Sequence, residues 1–397
     1  MVSVVDPRHD SLLSVFSGRL LLMLLLTASF FAATIPRTTA LALKMSALTK
    51  NAAARAASGG AKDASVAASS PAAAVARVAT VLGTMSIPVP LNAASTREAL
   101  NYFSAAGFDE IDTAIMYQGG KSEKALGDAG MGAFRMATKA NPWYKDGKTF
   151  DDPVAGLSAG SVKEQLKASL SSLRLEKVDL FYLHAPDHET PLLETLTAVH
   201  ELRSEGLFAE WGLSNYAAWE AVDIWHVCRA NGWQTPSVYQ GMYNAVTREV
   251  ERELLPALKQ LGMRFYAYNP LAGGILTGKH SFDSPPEEGR FSSKTVWGGR
   301  YRDRFWHKPT FDALEVIKDL CQKHETTPVS ASLRWLRHHS CLSGERGDAV
   351  IICGSNLEQV KANVDACADE TPLPKDLVDA FEQAWGASKA QCPQYFR

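Results

Sequence analysis

The sequence predicts a (β/α)8 barrel of the TIM type, with a long loop after strand 7 and a C-terminal tail over the barrel mouth. Three observations lead there. From about Ala76 onward, short apolar runs alternate eight times with stretches of helical periodicity. The runs are close to continuously apolar, as parallel strands covered on both faces are. A doubly wound open sheet, the competing α/β architecture, leads to the expectation of a G-x-G-x-x-G turn after the first strand, and Gly83-Thr-Met-Ser does not supply one.

The strands are expected at 79–83, 110–114, 135–140, 178–184, 208–213, 237–243, 264–271 and 349–353. Ser95-Thr-Arg-Glu98 and Ser161-Val-Lys-Glu164 have the spacing of capping boxes and are read as helix starts. The second of these helices sets Val162, Leu166, Leu170 and Leu173 on one face. Thr190-Pro191 reads as an N-cap with proline in the first helical position. Further helices are expected at 122–129, 217–230, 249–261, 311–324, 329–338, 357–366 and 375–384. Between strand 7 and the helix near Thr310 lies a run of Gly, Pro and charge with no pattern, long enough to suggest a functional loop.

Of 397 residues, 46% are hydrophobic and 21% charged, with a formal net charge of -2. This is the balance of a soluble protein with a large core, and no basic excess points to nucleic acid. None of the six cysteines has C-x-x-C spacing, so neither a zinc site nor a redox pair is indicated.

Residues 1–75 differ from the rest and are read as a targeting leader with a low-complexity linker. Leu20 to Ile35 is an uncharged, mostly apolar run behind Arg19, too short for a membrane span and followed by small residues. Leu43 to Val75 is rich in Ala and Ser, with Lys44, Lys50, Arg55 and Lys62 against Asp63. A signal followed by a transit-like segment resembles the bipartite leader of plastid proteins. The secretory pathway or the cytoplasm is the alternative location. Residues 76–397 are expected to form the barrel domain, without stable membrane association.

In a barrel of this type the active site lies at the C-terminal ends of the strands. Asp112, Lys139 and His184 end three apolar runs, and Tyr117 follows Asp112 on the next loop. A free tyrosine has a pKa of about 10 and is a sluggish acid near neutrality. A lysine cation beside it would lower that value, and an aspartate would hold the lysine charged and oriented. A histidine opposite could orient a carbonyl oxygen. Such a set suits protonation of the alkoxide formed when hydride reaches an aldehyde or ketone.

Hydride needs a donor. Ser214, Asn215 and Gln240, at the ends of the next two strands, offer a hydroxyl and amides to a nicotinamide carboxamide. Tyr268 could stack on the nicotinamide ring, and Gly273 and Gly274 in the loop it begins would bring backbone N–H groups near a pyrophosphate. Gly354-Ser355-Asn356 forms a glycine-to-helix turn after the last strand, a place where barrels bind phosphate.

These residues resemble a family. Asp112, Tyr117, Lys139 and His184 match the tetrad of the aldo-keto reductases, and Gly107 to Tyr117 resembles that family's first signature. The likeness is closer to the aflatoxin-aldehyde reductase branch, which includes succinic semialdehyde reductases. It is carried by Leu183-His-Ala-Pro-Asp-His188, Gly212-Leu-Ser-Asn-Tyr216, Val238 to Asn244, Tyr268 to Lys279, Tyr301 to Trp306 and Cys392 to Arg397. The resemblance implies NADPH-dependent reduction of small-molecule aldehydes and some ketones, with detoxification of reactive aldehydes as a role, usually in a homodimer. It adds Asn269, Pro270, Leu271 and Lys279 to the cofactor side, and Gln359 and Asn363 at positions that contact adenine. His184, Tyr301 and Arg397 are expected on the substrate side.

The chain departs from many family members in lacking a lysine before Ser355, which leaves Ser355, Asn356, Lys361 or Arg290 to meet the 2′-phosphate of NADP+. A non-catalytic NADP(H)-binding subunit, of the kind that regulates potassium channels, would share the barrel and the tetrad. The C-terminal match favours the enzyme. In the tail, Tyr395 and Phe396 would wall the pocket and Arg397 would present its fork of donors to a substrate carboxylate.

Overall fold

Eight parallel strands close on themselves in the order of the chain. They are β1 (Ala79–Gly83), β2 (Glu110–Asp112), β3 (Arg135–Ala140), β4 (Val178–Leu183), β5 (Phe208–Ser214), β6 (Val238–Met242), β7 (Arg264–Tyr268) and β8 (Ala349–Ile352). The computed structural model describes residues 76–132, 134–143, 156–294 and 296–397, so the leader expected at 1–75 lies outside the described residues. Residues Ala74–Arg397 form one unit. No helix among the described residues is long and apolar enough to cross a membrane.

Around the barrel lie α1 (Ala93–Ala105), α2 (Lys121–Ala129), α3 (Ala159–Leu173), α4 (Leu192–Ser204), α5 (Ala218–Ala230), α6 (Leu254–Leu261), α7 (Val296–Phe305), α8 (Lys308–Lys323), α9 (Pro328–His338), α10 (Leu357–Ala368) and α11 (Lys375–Ser388). The stripe of α3 is buried as its spacing predicts, with Val162, Leu166, Leu170 and Leu173 all in the core. The α1 and α3 starts lie upstream of the expected capping boxes. Asn92 caps α1, accepting from the N–H groups of Ala94 and Ser95 at 3.1 Å each. Ser158 caps α3, while the Ser161 hydroxyl donates to the Gly156 carbonyl at 3.0 Å. In α4 the cap is Pro191 rather than Thr190.

The helix expected over 249–261 is broken into a 3-10 turn at Glu249–Glu251 and the short α6. Pro256 gives the reason: it lacks an N–H and is tolerated only in a first turn. The connection after β7 is not structureless. It holds a 3-10 turn at Ala272–Thr277 and the helix α7. Gly298 hides α7 from propensity, yet only glycine fits there, since a Cβ would lie 1.7 Å from the Ser292 carbonyl oxygen.

Strand periodicity layers the barrel interior. Val81, Ala137, Leu180, Tyr182, Val238, Tyr266, Ala349 and Ile351 form its packed plug. Two residues further along their strands stand Lys139 above Ala137, His184 above Tyr182, Gln240 above Val238 and Tyr268 above Tyr266. The register pairs Asp112 with Ala137, Lys139 with Tyr182 and Ser214 with Gln240, so these polar residues sit at one end of the barrel.

Thr138, between the inward neighbours Ala137 and Lys139, donates its hydroxyl to Glu123 Oε1 on α2 at 2.5 Å. Glu123 is 1% exposed. Burial pushes its carboxyl up to about 7 from 4.5. An acid with a raised native pKa favours the fold most below its unfolded value and loses that contribution as pH rises through the native one. Stability should therefore fall between about pH 4.5 and about pH 7, on the order of 3 kcal/mol from this group at about 1.36 kcal/mol per pKa unit. Glu123→Gln should flatten that part of the profile of melting temperature against pH. A variant whose profile parallels the wild type would contradict it.

Candidate active site

The site is built on one buried ion pair. Lys139 Nζ lies 2.5 Å from Asp112 Oδ1 and donates to the Thr113 carbonyl at 2.6 Å. The second oxygen of Asp112 accepts from Gln240 Nε2 at 2.8 Å. Lys139 and Asp112 are 1% and 2% exposed. Above the pair, Lys139 Nζ is 5.2 Å from the centroid of the Tyr117 ring. The Tyr117 and His184 rings meet edge to face, 5.9 Å between centroids. The structure brings all four expected residues together.

Tyr117 and His184 floor a cleft of about 910 Å³, counted to its open mouth. Asp112, Ser214, Asn215, Gln240, Tyr268, Asn269, Arg290, Tyr301 and Arg397 line it, and Lys139 lies beneath. Asn215 is the hinge of one wall. It adopts a left-handed φ of 64°. Its Nδ2 donates to the His184 carbonyl at 2.8 Å, and its Oδ1 accepts from the Tyr268 hydroxyl at 2.7 Å. The Asn215 carbonyl in turn accepts from the Arg397 N–H at 3.0 Å. The tail thus lies at the mouth, further held by the Tyr395 hydroxyl, which accepts from the Ala218 N–H at 3.0 Å.

The model of the aldo/keto reductase family matches residues 79–385. The chain belongs to the aldo/keto reductase family. Aflatoxin B1 aldehyde reductase member 2 of Rattus norvegicus is 48% identical, over 81% of this chain and 88% of that protein. Aflatoxin B1 aldehyde reductase member 4 of Homo sapiens is 47% identical, over 81% of this chain and 98% of that protein. These identities bear out the branch resemblance read in the sequence. A solved glycerol dehydrogenase from Gluconobacter oxydans shares the fold, with a TM-score of 0.63, 21% identity, and coverage of 77% of this chain and 90% of that one.

In this aldo/keto reductase the electrostatics differ from the sequence expectation at one point. Burial and the Asp112 carboxylate hold the Tyr117 phenol well above its ordinary value, so the net direction is upward even with the Lys139 ammonium over the ring. The reason is geometric: the ammonium donates to Asp112 and Thr113, so its charge is largely balanced before it reaches the phenol. Burial likewise lowers Lys139, against the pull of Asp112. Burial, then repulsion by Lys139 and Arg397, holds His184 well below its ordinary value. Its buried Nδ1 has no hydrogen-bond partner among the described residues.

The remaining expected cofactor residues, Arg290 apart, do not line the cleft. Pro270 and Leu271 lead into the 3-10 turn, where Gly273 and Gly274 adopt φ of 69° and 118°; Lys279 is exposed. Past β8, Gly354 makes a turn in which a Cβ would lie 2.8 Å from the Val360 nitrogen. Asn356 caps α10, the Ser355 N–H donates to Gln359 Oε1 at 2.9 Å, and Asn363 Nδ2 donates to the Cys353 carbonyl at 2.9 Å. Gln359 and Asn363 therefore brace the turn. Lys361 is paired with Glu98 at 2.8 Å on the surface. Arg290 lies 3.9 Å from Cys353 Sγ and over the Tyr301 ring.

Sequence reading missed Met85, Met116, Trp143, Ile351 and Cys353 in the cleft lining. Cys353 and Ile351 were findable, since strand alternation carries both inward with Ala349. Trp143 had no such signal; it lies just past β3, under the Arg397 guanidinium at 5.3 Å.

The His184 imidazole should still be neutral at about pH 6.5, where an unperturbed histidine is half protonated. ¹⁵N shifts of the labelled protein would check this. Imidazolium shifts appearing near pH 6.5 would contradict the burial argument.

Proposed function

We propose that this oxidoreductase reduces aldehydes, and some ketones, to alcohols with NADPH, and that Tyr117 is the proton donor. The observation that carries the reading is a half-buried phenol meeting an imidazole edge to face at the floor of a cleft, over the Lys139–Asp112 pair, in surroundings that favour the neutral form of both rings. The aldehyde class is supported by the names of the relatives.

The residues fit a dinucleotide. Tyr268 offers a ring in the cleft wall, and Ser214, Asn215 and Gln240 offer polar groups around it. The left-handed Gly273 and Gly274, and the close turn at Gly354, are places where backbone can approach a phosphate without a side chain between. Arg290 has no carboxylate partner among the described residues and is the cation best placed to balance phosphate charge. When bound, the reduced nicotinamide supplies hydride to the carbonyl carbon.

The chain's own residues do the rest. His184, uncharged, donates a hydrogen bond to the carbonyl oxygen and sets its angle to Tyr117. Tyr117 gives its proton to the oxygen as negative charge develops there. A high phenol pKa keeps this acid loaded at neutral pH. An alkoxide is a stronger base than a phenolate, so the transfer still runs downhill. Lys139 then lies close enough to stabilise the phenolate left behind. Trp143 and the tail exclude water from the mouth.

Acid-bearing aldehydes such as succinic semialdehyde suit the mouth best. Arg304 and Arg397 both line the cleft, and neither has an Asp or Glu partner among the described residues. Desolvation, then repulsion by neighbouring arginines of which Arg304 is the larger influence, holds Arg397 below its ordinary value, an imbalance that a bound anion would reduce.

Tyr117→Phe should lower carbonyl reduction by roughly 10²–10⁴-fold with NADPH affinity nearly intact; near wild-type turnover would sink the assignment. Arg397→Met keeps the backbone bond to Asn215. It should raise KM for carboxylate-bearing aldehydes by roughly 10–100-fold and leave neutral aldehydes of similar size unchanged. Equal losses on both classes would mean that the tail serves only as a wall.

A further inference from the structure

The amide of Gln240 was expected to serve a nicotinamide. Its geometry gives it a second task. Asp112 is an ionised acceptor, with Lys139 on Oδ1. Its Oδ2 can only accept, so the group of Gln240 facing it at 2.8 Å must be the amide N–H. Both side chains are buried, at 2% and 3% exposure, where water does not compete for the bond. One carboxylate thus divides its charge between an ammonium on β3 and an amide on β6.

That division matters to Tyr117. Next to burial, the Asp112 charge is the largest influence that keeps the phenol from ionising. Lys139 is the only cation recorded over the Tyr117 ring among the described residues, and Asp112 is what the ammonium grips. Any donor that takes up Asp112 charge does two things. It weakens the field opposing the phenolate, and it loosens the grip on the ammonium that stabilises the phenolate.

We infer that Gln240 is a positioning residue for the reduction, acting on Tyr117 through Asp112 and Lys139 by hydrogen-bonding the second oxygen of the buried carboxylate. The inference rests on the reading of Tyr117 as proton donor. It makes Gln240 more than a cofactor contact: its loss should be felt in kcat, and in the pH at which kcat is lost.

The test uses the full-length chain with Gln240→Glu and Gln240→Leu. An introduced carboxyl facing Asp112 cannot ionise freely, because two carboxylates sharing a site push one pKa up. While protonated it can donate to Oδ2 as the amide did; once ionised it cannot. Turnover of Gln240→Glu with NADPH and a saturating aldehyde should therefore approach the wild type at low pH. It should fall by roughly 10–100-fold at high pH, the range of a hydrogen bond to an ionised group. Gln240→Leu should be depressed by a similar factor at every pH.

A second readout needs neither cofactor nor turnover. The introduced acid has a raised native pKa. The melting temperature of Gln240→Glu without cofactor should thus match the wild type most closely at low pH and drop below it as pH rises. Parallel kcat profiles for wild type and Gln240→Glu, with only the KM for NADPH changed, would overturn the inference and leave Gln240 a cofactor contact. So would a melting-temperature difference that does not vary with pH. Failure of the proton-donor reading is told apart by Tyr117→Phe, whose retained turnover would remove the ground for both. An inactive Tyr117→Phe beside parallel Gln240→Glu profiles removes this inference alone.

Discussion

The buried contact between Lys139 and Asp112 is the constraint around which the barrel mouth is arranged. Two full charges taken out of water cost several kcal/mol each unless their remaining hydrogen-bonding capacity is met. Here it is met from three directions: the Thr113 carbonyl below the ammonium, the carboxylate beside it, and the Gln240 amide on the far oxygen. These partners come from strands β2, β3 and β6 and from the residue after β2. Only a closed sheet brings such distant segments to one point. Breaking a pair of this kind by removing one partner costs about 3–5 kcal/mol, because the other charge is left stranded. The pair ties the electrostatics of Tyr117 to the integrity of the fold.

The same pair sits beneath two rings whose surroundings favour their neutral forms. Burial, then repulsion by Lys139, holds His184 toward its neutral form, and burial, then the Asp112 charge, does the same for Tyr117. A phenol and an imidazole then face the same space. At the rim the sign reverses: Arg290, Arg304 and Arg397 all line the cleft. The cleft thus runs from a charge-balanced floor to a cationic mouth. This gradient would draw an acidic substrate or a phosphate without disturbing the acid below.

Much of this was legible in the sequence, and for a definite reason. Asp112 ends β2, Lys139 falls one residue before the end of β3, and His184 lies one residue past β4. Strand ends are visible where apolar runs stop, and the barrel rule gives those ends a meaning. The tail was legible through Tyr395, Phe396 and Arg397, aromatics and charge in a place where a frayed terminus has no use for them. Two kinds of feature were not legible. Helix starts were placed too late for α1 and α3, because Asn92 and Ser158 cap without the three-residue echo that makes a capping box visible. The partners of long polar side chains were not visible either. Nothing local to Gln240 announces Asp112, which is 128 residues away, nor does Lys361 announce Glu98 across 263 residues. Those bonds belong to the closed barrel and to the packing of α1 on α10, and they decide that Gln240 meets Asp112 and that Lys361 meets Glu98.

The central claim is that the Lys139 ammonium serves the chemistry of Tyr117 rather than the binding of the cofactor. Lys139→Met keeps the length of the side chain and removes its charge. The decisive measurement is its NADPH dissociation constant set beside its single-turnover rate of aldehyde reduction. The account predicts a rate lower by roughly 10²–10⁴-fold, with the dissociation constant within a few-fold of the wild type. A folded variant that reduces aldehyde at close to the wild-type rate, or one that loses activity only through weaker NADPH binding, would contradict it.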